Sequence, residues 1–328
     1  LEQTIYMLNN LPVNKPNVVD SCLLIMHDYS HFVTCDPKEI DAERGVIIEE
    51  KRTRNNAQWR SMLKSFPVIF GPNNPFASHS IIGSQEQLET FKPESLTNFY
   101  HTWYVPQNQA LIVVGDVNVA EVEAKIKATF ADIPAVENPT PRPYIIFDPC
   151  DTPRVGIITD PEQSRSSVEV YFMAPVIKGF KGTDVGFLSD CVTLCSSLIL
   201  QARFKEISSR LNSPFLSASA GATEVSENTD AFYAQAQFKD GEGVKAFRAL
   251  LLEIEKLQRF GFTADELERA NSNLLSYLEM LATGASTREN SDYIEEYVKH
   301  FFTGESFQPP EVTLKIAQSF YAILSTEI

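Results

Sequence analysis

Histidine and cysteine are both scarce in this chain, with five of each in 328 residues. An odd cysteine count without regular spacing excludes a disulfide framework. Cys191 and Cys195 lie one turn apart in an apolar run and read as small core side chains. Five scattered histidines support no Ser/His/Asp array. Positive charge is short as well, 28 Lys and Arg against 43 Asp and Glu for a net charge of -15. That balance argues against nucleic acid or an anionic membrane surface as the main partner. It suits basic or mixed peptides, or simple solubility. No apolar run approaches the length of a membrane span. G-x-S-x-G, the P-loop and G-x-G-x-x-G are all missing. So is a signal peptide, and the chain starts at Leu1 inside a strand-like run without an initiator Met. Such a start suggests a piece of a longer protein, so missing targeting signals say little about location.

What is present is a globular chain, 43% apolar, long enough for two cores. Leu1–Leu11 reads as a strand through Thr4-Ile5-Tyr6-Met7-Leu8. Helices follow over Asn17–Phe32, Asp36–Arg54, Ala57–Phe70, Lys92–Tyr104 and Val119–Phe130. A loop rich in turn formers begins at Gly71, and Ala110–Gly115 reads as a buried strand. Prolines 134, 139, 141, 143, 149 and 153 mark an interdomain connection. Beyond it the pattern restarts. Val155–Thr159, Ser167–Met173, Phe215–Ala220 and Ala231–Phe238 read as strands. Asp184–Leu211, Gly243–Phe260, Ala264–Thr283, Ser286–Phe302 and Pro310–Ser325 read as helices. Strands that do not alternate with helices favour α+β, with two similar domains, each an antiparallel-rich sheet packed with helices.

The most informative stretch is Asp36–Arg54. Asp36 suits a cap, Pro37 the first helical position, and Glu39 a capping box. Glu43 and Glu50 lie seven residues apart, hence on one helical stripe, with Ile40, Val46 and Ile47 in the same arc. Carboxylates there need a metal ion, an Arg or Lys partner, or simple access to water. Lys51, Arg52 and Arg54 close the helix where cations complement its dipole. His27 and His31, at i and i+4, have zinc-ligand spacing and with Glu50 compose a possible site. The competing reading makes them surface histidines of an amphipathic helix.

Glu43-Arg44-Gly45-Val46-Ile47-Ile48-Glu49-Glu50 resembles the E-R-G-V-V-x-E-E helix of the pitrilysin/insulinase zinc peptidases, the inverzincins with an H-x-x-E-H motif. Phe99-Tyr100-His101-Thr102-Trp103-Tyr104-Val105-Pro106-Gln107-Asn108, followed by Val113-Val114-Gly115-Asp116-Val117, resembles a second block of that family. Ile81-Ile82-Gly83 and Thr4-x-Tyr6 also fit. The resemblance implies that residues 1–138 are the C-terminal part of a catalytic-type domain. Residues 144–328 resemble the family's second, non-catalytic domain, through the Phe215–Phe238 strand pair and Thr263-Ala264-Asp265-Glu266-Leu267. Large bacterial members with four such domains are the nearest in pattern.

By this resemblance Glu50 is a zinc ligand, and Glu43 supports the metal site from behind. The family's H-x-x-E-H lies roughly 75 residues before the position of Glu50, which falls before Leu1. Both zinc histidines and the general-base glutamate are then absent, and no catalytic residue lies in this chain. His27 and His31 fall where the family carries no ligands. The implied function is part of a zinc-dependent endopeptidase acting on peptides or unfolded proteins through metal-activated water, inactive in isolation. Its partners are the remaining domains of the same polypeptide and the substrate. Neither nucleic acid nor a membrane span is expected, and a periplasmic or cell-envelope location is favoured. The alternative is a catalytically dead scaffold or peptide-binding subunit.

Overall fold

The structure is a computed structural model that describes residues 2–177, 179–180 and 182–321. The chain divides into two compact units, Leu1–Ile145 and Ile146–Ile328.

The first unit is helical: α1 (Val18–His31), α2 (Pro37–Arg54), α3 (Ala57–Ile69), α4 (Pro75–Ser78), α5 (Gln85–Thr90), α6 (Pro93–Trp103) and α7 (Val119–Thr129). Short polar side chains start most of them. Asn56, Asn118 and Ser84 accept backbone N–H groups of α3, α7 and α5, which satisfies donors that helix geometry leaves open. Asp36 accepts from Lys38 N at 2.8 Å. Its side chain turns to that nearer amide, so Glu39 completes no capping box. The loop expected over 71–79 contains the short helix α4, and α5 follows it.

Two strands expected in this unit are not formed. Residues 2–11 and 110–115 carry no regular element; an apolar run becomes a strand only where it forms a ladder with a partner, and the ladders among the described residues are those of the second unit. Tyr6 ties the first of these runs down by aromatic contacts. Tyr6 stacks on Tyr29 with centroids 4.9 Å apart, and its hydroxyl lies 2.7 Å from that of Tyr104. The unit's core is thin. Leu23, Phe70, Phe76, Tyr100, Val105 and Val122 are its buried apolar side chains. Ile5, Met7, Leu24, Ile25 and Val113 stay exposed.

The second unit contains β1 (Ser166–Pro175), α8 (Asp184–Ser208), β2 (Ser217–Ser226), β3 (Thr229–Phe238), α9 (Gly243–Phe260), α10 (Ala264–Thr283), α11 (Asn290–Thr303) and α12 (Pro310–Tyr321). The strands form an antiparallel sheet in the order β1-β3-β2, with Val170 and Ala220 both opposite Ala234. Residues 155–159 stay outside it, with Val155 and Ile157 exposed. The helix expected from Ser286 begins at Asn290, because a 3₁₀ turn over Ala285–Thr287 and a reciprocal cap between Glu289 and Asp292 precede it. The end expected for the last helix, Ser325, lies outside the described residues.

Two buried clusters share α8. Leu200 and Phe204 pack with Phe215, Ala220, Ala234, Ala236, Ala246 and Leu250, joining α8 to the sheet and α9. Cys191, Cys195 and Ile199 pack against Ala270, Leu274 and Leu278 of α10 and Ala317 of α12. Contrary to the sequence reading, α8 is long and apolar enough to cross a membrane by length and composition. Its Cys191, Cys195, Ile199, Leu200 and Phe204 are buried in the two clusters, while Val185 and Leu194 stay exposed. Burial and the neighbouring Cys195 push the Cys191 thiol up to about 11, and burial raises Cys195 too. Both thiols therefore stay protonated and unreactive at neutral pH, as core residues should. At one end Arg203 grips Glu266 at 2.6 and 2.8 Å and the Gly261 carbonyl at 3.1 Å. The guanidinium holds the Glu266 carboxyl down at about 2, with help from Thr263.

The α+β class describes the whole chain. The antiparallel sheet itself lies in the second unit.

Candidate functional site

The carboxylate stripe of α2 is the candidate site. None of the residues of α2 is buried. Glu43 is exposed, and the Glu50 side chain is 41% exposed. Of the partners that the sequence leaves open for it, Glu50 takes a cation, since Arg54 Nη2 lies 2.6 Å from Glu50 Oε1 one turn on. Arg52 pairs with Glu49 at 2.8 Å. The basic end of α2 thus does more than face the helix dipole.

Two other cations of α2 reach outward. Arg44 donates from Nη1 to the Leu88 carbonyl at 2.7 Å and from Nη2 to the Phe91 carbonyl at 2.5 Å. Its guanidinium lies 3.9 Å from the centre of the Phe91 ring, and Nε is 2.9 Å from Asp41 Oδ1. Lys51 Nζ donates to the Gly83 carbonyl at 2.7 Å. The sequence alone assigns Arg44 no role, because its acceptors are main-chain carbonyls more than forty residues away.

His27 and His31 do not join Glu50. Among the described residues, no group of three or more His, Cys, Asp and Glu side chains is gathered to hold a metal ion. His27 is not a surface residue, being buried against Phe32 and Phe130. Its Nε2 lies 2.9 Å from Asp132 Oδ1 and its Nδ1 3.2 Å from Asp28 Oδ1. Asp132 follows α7, 105 residues away, so no local pattern could announce it. His31 Nδ1 is 3.4 Å from the Tyr104 carbonyl.

Burial lowers the proton affinity of His27, but the Asp132 and Asp28 carboxylates outweigh it and raise the group above its ordinary value. Asp132 is correspondingly held below the usual range by His27. A raised histidine contributes stability fully below its unfolded value of about 6.5 and loses it as pH climbs through the folded value. A depressed aspartate contributes above about 3.9 and loses its share as pH falls. The tie between α1 and the end of α7 is therefore expected to hold from about pH 4 to pH 6.5 and to loosen above. Amide exchange in α1, corrected for intrinsic rates, should speed up between pH 6.5 and 8.5. The same rise in His27→Gln would remove the histidine as its cause.

Zinc is the metal implied for the site. A four-coordinate zinc centre needs at least three protein donors. The stripe offers two carboxylates, Glu43 and Glu50, two turns apart, and the described residues gather no set of three donors there, so they do not make a zinc centre by themselves. One carboxylate at a helix surface fits a single position in a centre completed by other residues.

A helical unit followed by a unit with a three-stranded antiparallel sheet is a fold shared with proteases of known structure. Residues 90–274 match the family described as the Peptidase M16 inactive domain, over more than half of the chain, and the chain belongs to that family. The resemblance to pitrilysin/insulinase peptidases read from the motifs therefore stands. The match crosses the division between the two units and leaves α2 outside.

A curated relative from Escherichia coli K12, "Probable zinc protease PqqL", is 24% identical over 336 residues, covering 99% of this chain and 35% of the relative. The crystal structure of the periplasmic protease PqqL from Escherichia coli superposes with a TM-score of 0.86 at 24% identity, over 97% of this chain and 35% of that one. The structure of its first half gives 0.83 at 23% identity, over 97% of this chain and 67% of that one. The chain thus spans about a third of the length of the curated relative. It is homologous to proteins named zinc proteases, and its fold is that of one part of a multidomain protease.

Proposed function

We propose that this chain is one part of a zinc metalloendopeptidase of the M16 family, and that Glu50 gives one metal-binding carboxylate to a centre whose other donors lie outside these residues. Glu43, two turns earlier on the same stripe, supports that centre from behind. The observation that carries the reading is the stripe itself: two carboxylates on a helix with no fully buried residue, in a chain of a peptidase family. Residues 1–138 then belong to a catalytic-type domain whose sheet is completed by further strands. The runs 2–11 and 110–115, which have strand composition but form no strand among the described residues, and the exposed Ile5, Met7 and Val113, support this. Residues 144–328 then form the non-catalytic domain that follows it in sequence. Bound zinc supplies a water acidified for attack on a peptide carbonyl. The substrate is a peptide or an unfolded protein. The setting is the periplasm or cell envelope, a reading supported by the Escherichia coli relative, which is a periplasmic protease.

The "inactive domain" description of the family favours a second reading, a non-catalytic scaffold or peptide-binding subunit. Metal content separates the two. The intact polypeptide is expected to carry one zinc per chain, and residues 1–328 alone should retain none after dialysis, with no peptidase activity. Zinc bound stoichiometrically by residues 1–328 alone would overturn the shared-centre reading. An intact polypeptide free of zinc would favour the scaffold.

A further inference from the structure

α2 carries the carboxylate stripe, yet apolar packing does not fix its roll. Ile40, Ile47 and Ile48 are only half-buried and Val46 is exposed. The pairs Glu49–Arg52, Glu50–Arg54 and Asp41–Arg44 lie within the helix and turn with it. Among the described residues, the polar contacts that leave α2 are those of Arg44 and Lys51.

These two cations are seven residues apart, as Glu43 and Glu50 are, and stand about 100° round the helix from them. Seven residues advance about 10.5 Å along α2. The six residues of α5 span about 9 Å. Arg44 meets the C-terminal end of α5 through the Leu88 and Phe91 carbonyls. Lys51 meets the residue before its cap through the Gly83 carbonyl. α2 and α5 therefore run antiparallel with a cation at each end. A guanidinium is well suited to the C-terminal end, where carbonyls lack helical partners and the dipole favours positive charge.

We infer that Arg44 and Lys51 are positioning residues, a two-point clamp on α5 that sets the roll of α2 and so aims Glu50. The inference rests on the reading of Glu50 as a metal donor. A carboxylate about 6 Å from the helix axis moves about 1 Å for each 10° of roll. Metal–oxygen distances tolerate about 0.2 Å. Two anchors separated along the helix hold it to that precision where one would leave it free to pivot. Phe91 adds its ring face to the Arg44 end, so lysine there would keep the charge but lose the fork and the stacking.

The test uses the intact polypeptide with Arg44→Met, Arg44→Lys, Lys51→Met and, as reference, Glu50→Gln. Zinc affinity is read by chelator competition, and the cobalt-substituted proteins are read by their visible absorption at saturating metal. Arg44→Met is expected to weaken zinc binding 10–100-fold, the usual effect of losing a group that orients a ligand. Its cobalt bands should shift even at full occupancy, and Arg44→Lys should recover part of both. Where Arg44→Met does not fold, Arg44→Lys and Lys51→Met carry the same readouts. Wild-type affinity and cobalt bands in the folded Arg44 and Lys51 variants, beside a weakened Glu50→Gln, would overturn the clamp and leave the donor role standing. An unchanged Glu50→Gln would instead overturn the donor role. Lower thermal stability with unchanged cobalt bands would make the clamp merely structural and also overturn it.

Discussion

Phe204→Ala is expected to destabilise the second unit by about 3–5 kcal/mol, the usual cost of removing a fully buried phenylalanine. Phe204 has no exposed surface, and its ring meets Phe215 edge to face at 6.0 Å. The buried cluster around it includes Ala220, Ala234, Ala236 and Ala246. Side chains that short cannot swing into the space that a lost ring leaves, so collapse of the cavity falls to Leu200, Phe215 and Leu250 alone among the buried members. α8 also joins this cluster to the one formed with α10 and α12, so the loss should spread to both sides of the helix. Mass-spectrometric amide exchange resolves the effect by segment. Peptides from α8, β3 and α10 should exchange by global opening at lower denaturant than in the parent chain. Unchanged protection in these segments would show that the cluster is not the unit's core.

The elements legible in the sequence are those whose signals are local. The helix starts read at Val119, Asp184 and Ala264 are the observed ones, and the side chains of Asn118, Thr183 and Thr263 cap them from the residue before. The β2–β3 pair is legible because both strands and their turn lie in one short stretch. Ala110–Gly115 shows the limit of local reading. Leu111, Ile112, Val113 and Val114 have strand composition, but a ladder needs a second strand that the described residues do not supply. The site divides the same way. The spacing of Glu43 and Glu50 follows from helix geometry alone. The burial of His27 depends on Asp132 and Phe130, and the tethering of Arg44 depends on main-chain oxygens of a segment with no charge signature. The motif Phe99–Asn108 is legible as a family pattern, while its physical role is plain only in three dimensions. Tyr100 donates to the Tyr29 carbonyl at 2.8 Å, and its oxygen accepts from Val33 N at 3.3 Å, pinning the end of α1.

On the donor role proposed for Glu50, Glu50→Gln in the intact polypeptide is expected to lower zinc affinity at least about 100-fold, since losing a donor should exceed the 10–100-fold cost of losing a group that only orients one. Peptidase activity should fall in step with occupancy. Glutamine keeps the size and the helix propensity of the native residue, so the change removes charge and little else. Charge is the relevant property, because a neutral amide oxygen is a poor donor to a dication beside an anionic carboxylate. Arg54 sharpens the prediction. It holds Glu50 at 2.6 Å, and one carboxylate oxygen must leave that pair to meet a metal. Both groups are largely exposed, so the pair holds Glu50 weakly, by less than about 1 kcal/mol. Arg54→Met should therefore leave zinc affinity within a few-fold of the parent, or raise it slightly. Glu43→Gln, with its acid exposed and two turns back, should fall between these variants, about 10-fold down. Inductively coupled plasma analysis after dialysis, together with chelator titration, orders the three. Full zinc content in Glu50→Gln, or a loss in Arg54→Met as large as in Glu50→Gln, would show that the stripe is a surface ion-pair array and that the metal is held elsewhere.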